Sequence, residues 1–396
     1  MSFRRSVLND FAEEETLDFE YRKKMRGTNL VSDTDVLELE GDQQVVKLVG
    51  SIDKDHFVTG NVIGIYGHIM TGDLFKVERV ILPTVAPQVI WPIVEADCYV
   101  AFLSGISMTG DLRNNIDVAY GLEKLIGWIC AESLEINIVR NIARIVIAGD
   151  SMTSASGLEE YDSEASEAHI PELLKYDSEA SEYAPPDEDD QRIEILASDH
   201  SVDKDAIEQF DKFLCRLVST VSVDLMSGPT DPNTVLLPQQ SIPRVIFPWA
   251  RRFGKMFNTV TNPYKFSING ISFLGTSGQN ICDLSRLTVG RSAIQLMADC
   301  LERSHIFPTV PDSLDGFPFE KRDPFILDEM PHVFFAGNQS ELVHGWLDNA
   351  SRNVSTLLLT VPAFRHKQTL TLLNLRNMRI TEYDFSQNEN FANILA

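Results

Sequence analysis

The sequence has 396 residues, 43% of them hydrophobic, and its 34 basic and 58 acidic side chains give a formal net charge of −24. A chain of this length usually forms two domains, and its apolar content is enough for packed cores. The charge argues against autonomous binding of nucleic acid, because such binding depends on cations that neutralise phosphates. No apolar run approaches the roughly 20 residues of a membrane-spanning helix, and no apolar signal segment follows Met1. Neither a membrane protein nor a secreted protein is predicted.

Residues 45–90 have the pattern of a small β domain. Apolar and polar residues alternate in the runs VVKLVGSI, VTGNVIGIYGHIM and DLFKVERVIL, and Gly60 and Gly72 stand where the chain would turn. Alternation with a period of two is typical of strands that bury one face. We therefore predict an N-terminal β-barrel domain over residues 1–92.

The next part of the chain has the pattern of a layered α/β domain. Continuous apolar runs, typical of strands buried on both faces, occur at residues 98–103, 143–148 and 221–226. Amphipathic segments at residues 116–132 and 203–220 lie between them and predict helices. The order strand, helix, strand, helix, strand therefore predicts an α/β layer.

The C-terminal part predicts a second sheet. Asn269-Gly270 is a favoured two-residue hairpin turn, because both positions tolerate positive φ. A short apolar strand is also predicted to end at Pro248. We expect the hairpin to share its sheet with three later strands and to be accompanied by a helix. The predicted strands are residues 331–336, 354–361 and 368–375, and the predicted helix is residues 289–303.

Residues 157–190 form an acidic, low-complexity segment. They hold thirteen acidic residues and one lysine, and the run YDSEASE that starts at Tyr161 is repeated from Tyr176. Few apolar residues and strong self-repulsion predict disorder. We assign residues 155–192 to a disordered insert within a second domain, residues 93–396. Two interpretations stay open: a solvated loop expanded by duplication, and a partner-binding or phosphorylatable segment.

Gly275, Gly278 and Asn280 belong to the loop GTSGQN, which follows a predicted strand. Loops at strand ends often carry the chemistry of α/β enzymes. This loop has no histidine or acidic residue before Asp283, and it lacks the lysine of a phosphate-binding loop. We predict a tight structural turn and no cofactor.

Several motifs resemble, in order and spacing, the small B subunits of replicative DNA polymerases, and most closely the delta branch of that family. They are LPQQ, NPY, GTSGQN, FAGN from Phe335 and VPAFRHKQT from Val361. The resemblance covers nearly the whole chain apart from the acidic insert. It implies an N-terminal OB fold, which lacks the strand that this family places before the segment matching residues 6–14. After it, the resemblance implies a calcineurin-like phosphodiesterase sandwich of two sheets.

Phosphodiesterases of that architecture hold two metal ions with Asp, His and Asn side chains that follow successive strands. The matching positions here hold Ser104 and Ile106, then Asp150, then Asp231, while Asn338 follows a later strand. The eight histidines include no D-x-H and no H-x-H arrangement. Two carboxylates alone would not hold two such ions. The comparison with the family pattern thus implies a catalytically inactive domain with no metal site, and Asp150 is interpreted as a capping or turn residue.

Trp249, Arg251 and Arg252 are the candidate interface residues, because Trp and Arg are enriched at binding hot spots. Solvated surface charge is the alternative.

The resemblance implies a scaffold subunit for replication and repair synthesis in the nucleus, with no membrane contact. It implies docking of the cysteine-rich C-terminal region of the polymerase delta catalytic subunit and of a third subunit, with indirect contact to DNA and the sliding clamp. Three alternatives stay open: a B subunit of polymerase alpha or epsilon, an active metal-dependent phosphodiesterase, and an adaptor in another complex.

Overall fold

The computed structural model describes residues 29–41, 44–110, 116–130, 136–153 and 204–386. The predicted acidic insert, residues 155–192, lies outside the described residues. In the described part, no helix is both long enough and apolar enough to cross a membrane.

The first strands form a four-stranded sheet in the order β1-β2-β4-β3. Strands β2 and β4 run parallel, and the other two pairs are antiparallel. Leu48 and Val77 are buried on one face, whereas their neighbours along the strands are exposed or half-buried. This one-sided burial is what the alternating sequence predicts. The strands are β1 Glu38–Glu40, β2 Val45–Gly50, β3 Gly64–Ile69 and β4 Leu74–Ile81.

A six-stranded sheet follows, in the order β15-β14-β5-β6-β7-β8. Its strands β5 to β8 run parallel, and β14 pairs antiparallel with β5. The predicted strand at residues 368–375 therefore belongs to this sheet, and its assignment to the second sheet was wrong. The strands are β5 Tyr99–Leu103, β6 Ile142–Ala148, β7 Val223–Met226, β8 Phe257–Val260, β14 Thr369–Asn374 and β15 Ile380–Asp384.

A five-stranded sheet has the order β12-β13-β11-β10-β9. The predicted hairpin is confirmed: Asn269 and Gly270 have φ of 51° and 80° and join β9 to β10. Strands β10, β11 and β13 are parallel neighbours. The strands are β9 Tyr264–Ile268, β10 Ile271–Thr276, β11 Val333–Gln339, β12 His344–Asn349 and β13 Val354–Pro362.

The two larger sheets pack face to face, so the predicted sandwich is confirmed. Phe102, Phe273 and Phe335 are buried between them, whereas alternate residues such as Leu103 and Leu274 face the helices outside. Strands covered on both faces are buried throughout, which explains their continuous apolar runs. The helices are α1 Ile116–Ile129, α2 Ile136–Arg140, α3 Lys204–Val218, α4 Gln279–Arg286 and α5 Ala293–Glu302.

The prediction of a strand that ends at Pro248 is wrong. The chain instead forms two 3-10 helices, Arg244–Ile246 and Ala250–Met256, which pack against the outside of the six-stranded sheet through the buried side chain of Phe247. Proline has no backbone N–H to donate to a sheet, and prolines stand on both sides of this run. Strand β8 begins only after the second 3-10 helix.

The four-stranded sheet is attached to the sandwich through the turn between β2 and β3. Arg303 donates to the carbonyl oxygen of His56 at 2.6 Å, and its guanidinium lies 5.1 Å from the centre of the Phe57 ring. Gly60, with φ of 88°, lies so close to the backbone of Pro308 that a Cβ would stand 1.7 Å from the carbonyl oxygen. A side chain at this position would separate the two bodies.

Candidate functional site

The ends of the parallel strands in both sheets meet at one edge of the sandwich. This is the edge where enzymes of the predicted architecture carry their ligands, because parallel strands end on the same side. The loops after β5, β6 and β7 lie against those after β10 and β11. The backbone N–H of Gly105, after β5, donates to Gly149 O after β6 at 3.0 Å. A Cβ on Gly149 would lie 2.6 Å from the Cβ of Ser277, which follows β10.

Ser104 and Ile106, after β5, have structural contacts. The Ser104 hydroxyl lies 3.1 Å and 3.0 Å from the carbonyl oxygens of Val361 and Pro362, and it accepts from the Asn338 N–H at 2.9 Å. Ile106 is fully buried in the core between the six-stranded sheet and its helices. The Ser104 hydroxyl is thus occupied by hydrogen bonds to the backbone, and Ile106 is part of the hydrophobic core.

Asp150 and Asp231 lie together, and both are buried. One oxygen of Asp150 accepts from the N–H and the hydroxyl of Thr230, each at 3.1 Å. Asp231 accepts three backbone N–H groups, those of Ser151, Met152 and Gly228, at 2.8–3.1 Å. The two carboxylates therefore tie the loop after β6 to the loop after β7.

Burial, followed by the nearby charge of Asp150, raises the pKa of Asp231 to about 8. The three N–H donors oppose this shift, because they favour the charged form. There is also little room beside the pair. A Cβ on Gly228 would lie 2.3 Å from both the backbone nitrogen and a carboxylate oxygen of Asp150.

Asn338, near the end of β11, has a φ of 55°. Its side-chain nitrogen donates to the carbonyl oxygen of Ser277 at 2.8 Å and lies 3.4 Å from that of Ala148. It therefore joins the ends of strands in both sheets. These contacts use its amide nitrogen for the backbone, whereas its buried amide oxygen has no hydrogen-bond partner among the described residues.

The structural turn at GTSGQN involves fewer residues than predicted. Gly275 lies within β10, where a Cβ would stand 1.8 Å from the Phe335 ring on the adjacent strand. Asn280 lies in the first turn of α4 and donates to Ile306 O at 2.8 Å. Only Gly278 forms the turn itself: it precedes α4 with a φ of 92°, and a Cβ there would lie 1.9 Å from Gly337 O.

A buried amide network beside this edge was not predicted. The Asn262 amide nitrogen lies 2.8 Å from the Gln239 amide oxygen, 2.8 Å from the Ser277 hydroxyl and 2.6 Å from the Gln279 amide oxygen, and its two hydrogens are shared among these acceptors. The Asn262 oxygen accepts the Ser277 N–H at 3.2 Å, and Gln239 also donates to Gly228 O at 3.1 Å. The network connects LPQQ, TNPY and GTSGQN, three of the motifs that carry the resemblance. Polar residues beside proline within apolar runs were the signal that could have identified it.

These residues do not fit a two-metal centre. Such a centre needs several carboxylate and imidazole ligands directed at one point, whereas Ser104, Asp231 and the amide nitrogen of Asn338 are directed at backbone groups. Within the described ranges, no group of three or more His, Cys, Asp or Glu side chains is placed to hold a metal ion.

The predicted interface residues lie elsewhere, on the second 3-10 helix. Arg251 and Arg252 are exposed, and Trp249 is half-buried with the Lys212 ammonium 5.5 Å from its ring centre. The fully buried Asp211 accepts the N–H groups of Trp249 and Ala250 at 2.8 Å and 2.9 Å. A carboxylate at a helix start stabilises its free N–H groups. The three predicted residues are thus neighbours on a fixed surface.

Comparisons with known proteins agree with the motifs. Residues 100–344 match the family of DNA polymerase alpha/epsilon B subunits, and residues 1–80 match the DNA polymerase delta subunit OB-fold domain. A DNA polymerase delta small subunit from Oryza sativa subsp. japonica is 29% identical over 98% of this chain and 81% of its own length. A probable DNA polymerase delta small subunit from Caenorhabditis elegans is 30% identical over 89% of this chain and 72% of its own. The delta small subunit of Saccharomyces cerevisiae is 26% identical over 94% and 73%.

Proposed function

Since this chain belongs to the family of B subunits of replicative DNA polymerases, on its delta branch, we propose that it is a non-catalytic scaffold of DNA polymerase delta. In this role it bridges the cysteine-rich C-terminal region of the catalytic subunit and a third, extended subunit. Contact with DNA and with the sliding clamp is then indirect, and the site of action is the nucleus, in replication and repair synthesis. We assign the chain two domains for this role, residues 1–92 and residues 93–396.

The non-catalytic role is supported by the hydrogen bonds of the residues at the positions where phosphodiesterases of this architecture carry metal ligands. Asp231 accepts three backbone N–H groups, and Ser104 and Asn338 are bonded to the backbone of neighbouring strands. A hydrolytic centre needs these groups directed at an ion or a water molecule. Their present contacts favour a packed body that binds partners.

Affinity purification of the tagged chain from its own cells, followed by size exclusion at moderate salt, tests the scaffold role. We expect a large polymerase catalytic subunit in near-stoichiometric amount. Recovery of the chain alone would contradict the proposal. Mass spectrometry of the partner also decides between polymerases, since recovery of a primase would indicate the alpha complex.

An active phosphodiesterase is the second candidate, because Asp150 and Asp231 keep two of the acidic positions side by side. It predicts manganese- or zinc-dependent hydrolysis of a phosphodiester that Asp150→Asn abolishes. The scaffold role predicts no metal-dependent activity above that of Asp150→Asn. The unaltered chain and Asp150→Asn should elute as the same complex.

A further inference from the structure

The surface formed by residues 244–255 has the opposite charge to the rest of the chain. Residues 232–282 contain no aspartate or glutamate and five basic side chains, in a protein whose net charge is −24. Four of the five, those between residues 244 and 255, stand on the two 3-10 helices and are exposed. They are Arg244, Arg251, Arg252 and Lys255. We refer to these helices and their exposed side chains as the basic surface.

These four cations are not neutralised by the part of the chain that the structure describes. None of them has a carboxylate within ion-pair distance there; the Arg244 guanidinium donates to the carbonyl oxygen of Gly254 at 2.8 Å. Asp211, which contacts the start of the second 3-10 helix, is fully buried and bonded to the backbone N–H groups of Trp249 and Ala250. With respect to the described residues, the positive charge is therefore available to a ligand.

The basic surface also exposes apolar side chains. Val245 is 66% exposed and Phe253 is 37% exposed, beside the half-buried Trp249. Exposed apolar side chains among arginines are typical of protein interfaces, where aromatic residues and arginine are enriched and carry most of the binding energy. A surface that binds only phosphates would gain nothing from them.

The basic surface is held rigidly. Phe247 and Ala250 are buried beneath it against the six-stranded sheet, and Asp211 fixes the start of the second 3-10 helix. The Arg244 side chain connects the two helices through Gly254 O and lies 5.7 Å from the centre of the Phe257 ring. A preformed surface loses little conformational freedom on binding.

We infer that the basic surface binds an acidic peptide segment of a protein partner, with apolar side chains of that segment against Val245 and Phe253. Charge complementarity favours an acidic ligand. The exposed apolar side chains favour a peptide, which can present apolar side chains of its own, over a nucleic-acid duplex, which presents phosphates. The biological use of this contact rests on the scaffold role proposed above, but the binding itself does not.

Fluorescence anisotropy with the purified full chain tests the inference. The probe is a fluorescein-labelled peptide of about 12 residues made of aspartate, glutamate and two phenylalanines, at roughly 50 mM salt. A matched peptide with asparagine and glutamine is the neutral control. We expect the acidic peptide to bind at least about tenfold more tightly than the neutral one.

Two charge-matched double variants make the test specific. Arg251→Glu with Arg252→Glu should weaken binding of the acidic peptide by about tenfold or more. Lys321→Glu with Arg352→Glu makes the same change in net charge at exposed residues elsewhere and should change the affinity by less than about twofold. Val245→Ser with Phe253→Ser should weaken binding of the phenylalanine-containing peptide more than that of an acidic peptide without phenylalanine.

Three results would overturn the inference. The first is equal affinity in both charge variants. The second is tighter binding of a labelled DNA duplex through the same arginines, which would indicate a nucleic-acid surface. The third is a tenfold gain in peptide affinity on deletion of residues 157–190, which would indicate that the acidic segment of this chain is the occupant. Co-purification of the polymerase catalytic subunit is scored separately, so the scaffold role can stand where peptide binding fails.

Discussion

Replacing Asn262 by alanine should destabilise the protein by about 2–4 kcal/mol. The side chain is fully buried and has four polar partners. Its loss leaves the buried Ser277 N–H without its acceptor, which costs about 1–3 kcal/mol, and removes further bonds worth about 1 kcal/mol each in net terms. Gln239 and Gln279 remain bonded to each other at 3.2 Å, which limits the loss.

Urea unfolding followed by tryptophan fluorescence measures this effect as a lower midpoint at unchanged slope. Asn377→Ala is the matched control: Asn377 is exposed and accepts a single backbone N–H, that of Arg379, at 3.0 Å. Its expected effect is about 0.5 kcal/mol or less. A loss at Asn262 below about 1 kcal/mol, or one equal to the control, would refute the view that the network holds the strand ends together.

Three further predictions follow from the same edge and from the basic surface. Gly278→Ala should lower the free energy of unfolding by about 3 kcal/mol or more, because the cost of a positive φ adds to a clash with Gly337 O. Gly290→Ala, at a position with φ of 66° and open space around it, should cost only about 1–2 kcal/mol. Equal losses of stability in the two variants would contradict the crowding at Gly278. Because burial raises the pKa of Asp231, the free energy of unfolding should fall as pH rises from about 4 towards about 8, and Asp231→Asn should flatten that part of the profile; an unchanged slope would argue against it. Asp211→Ala should cost about 1–2 kcal/mol in thermal unfolding and weaken acidic-peptide binding, and unaltered peptide affinity would show that the basic surface does not depend on this cap.

The sequence predicted the elements whose pattern is local and strong. Strands β5, β6 and β7 are buried on both faces and were predicted from continuous apolar runs, and α3 was predicted from its amphipathic pattern. The hairpin was predicted from Asn269-Gly270, because few residue pairs accept two positive φ angles. In each case the signal lies within a few residues of the element.

The missed elements lacked such a signal. Strand β12 is polar and alternates between exposed and half-buried residues at a sheet edge, and β15 is also an edge strand. The apolar run before Pro248 is compatible with a strand or a 3-10 helix, and tertiary packing of Phe247 selects the helix. The sheet to which β14 belongs depends on how the chain crosses the sandwich, which no local pattern encodes.

For the candidate site, the sequence indicated which residues follow the strands, but it did not indicate their hydrogen-bond partners. The positions Ser104, Asp150, Asp231 and Asn338 do lie at strand ends on one edge of the sandwich. Their partners are backbone groups and amides contributed by segments far apart in sequence, such as the contact between Asn338 and Ser104. Contacts of this kind depend on the assembled fold, so only a resemblance between whole motifs could indicate them.

The side-chain amides of Gln239, Asn262 and Gln279 form hydrogen bonds at this edge that do not depend on pH or on metal ions. Amide side chains neither gain nor lose a proton in the physiological range and are weak ligands for zinc. An edge built from histidines and metal ions would change shape with acidity and with the supply of ions. The hydrogen bonds among Gln239, Asn262 and Gln279 depend on neither, so the response of this edge to acidity comes from its buried carboxyl groups, such as that of Asp231.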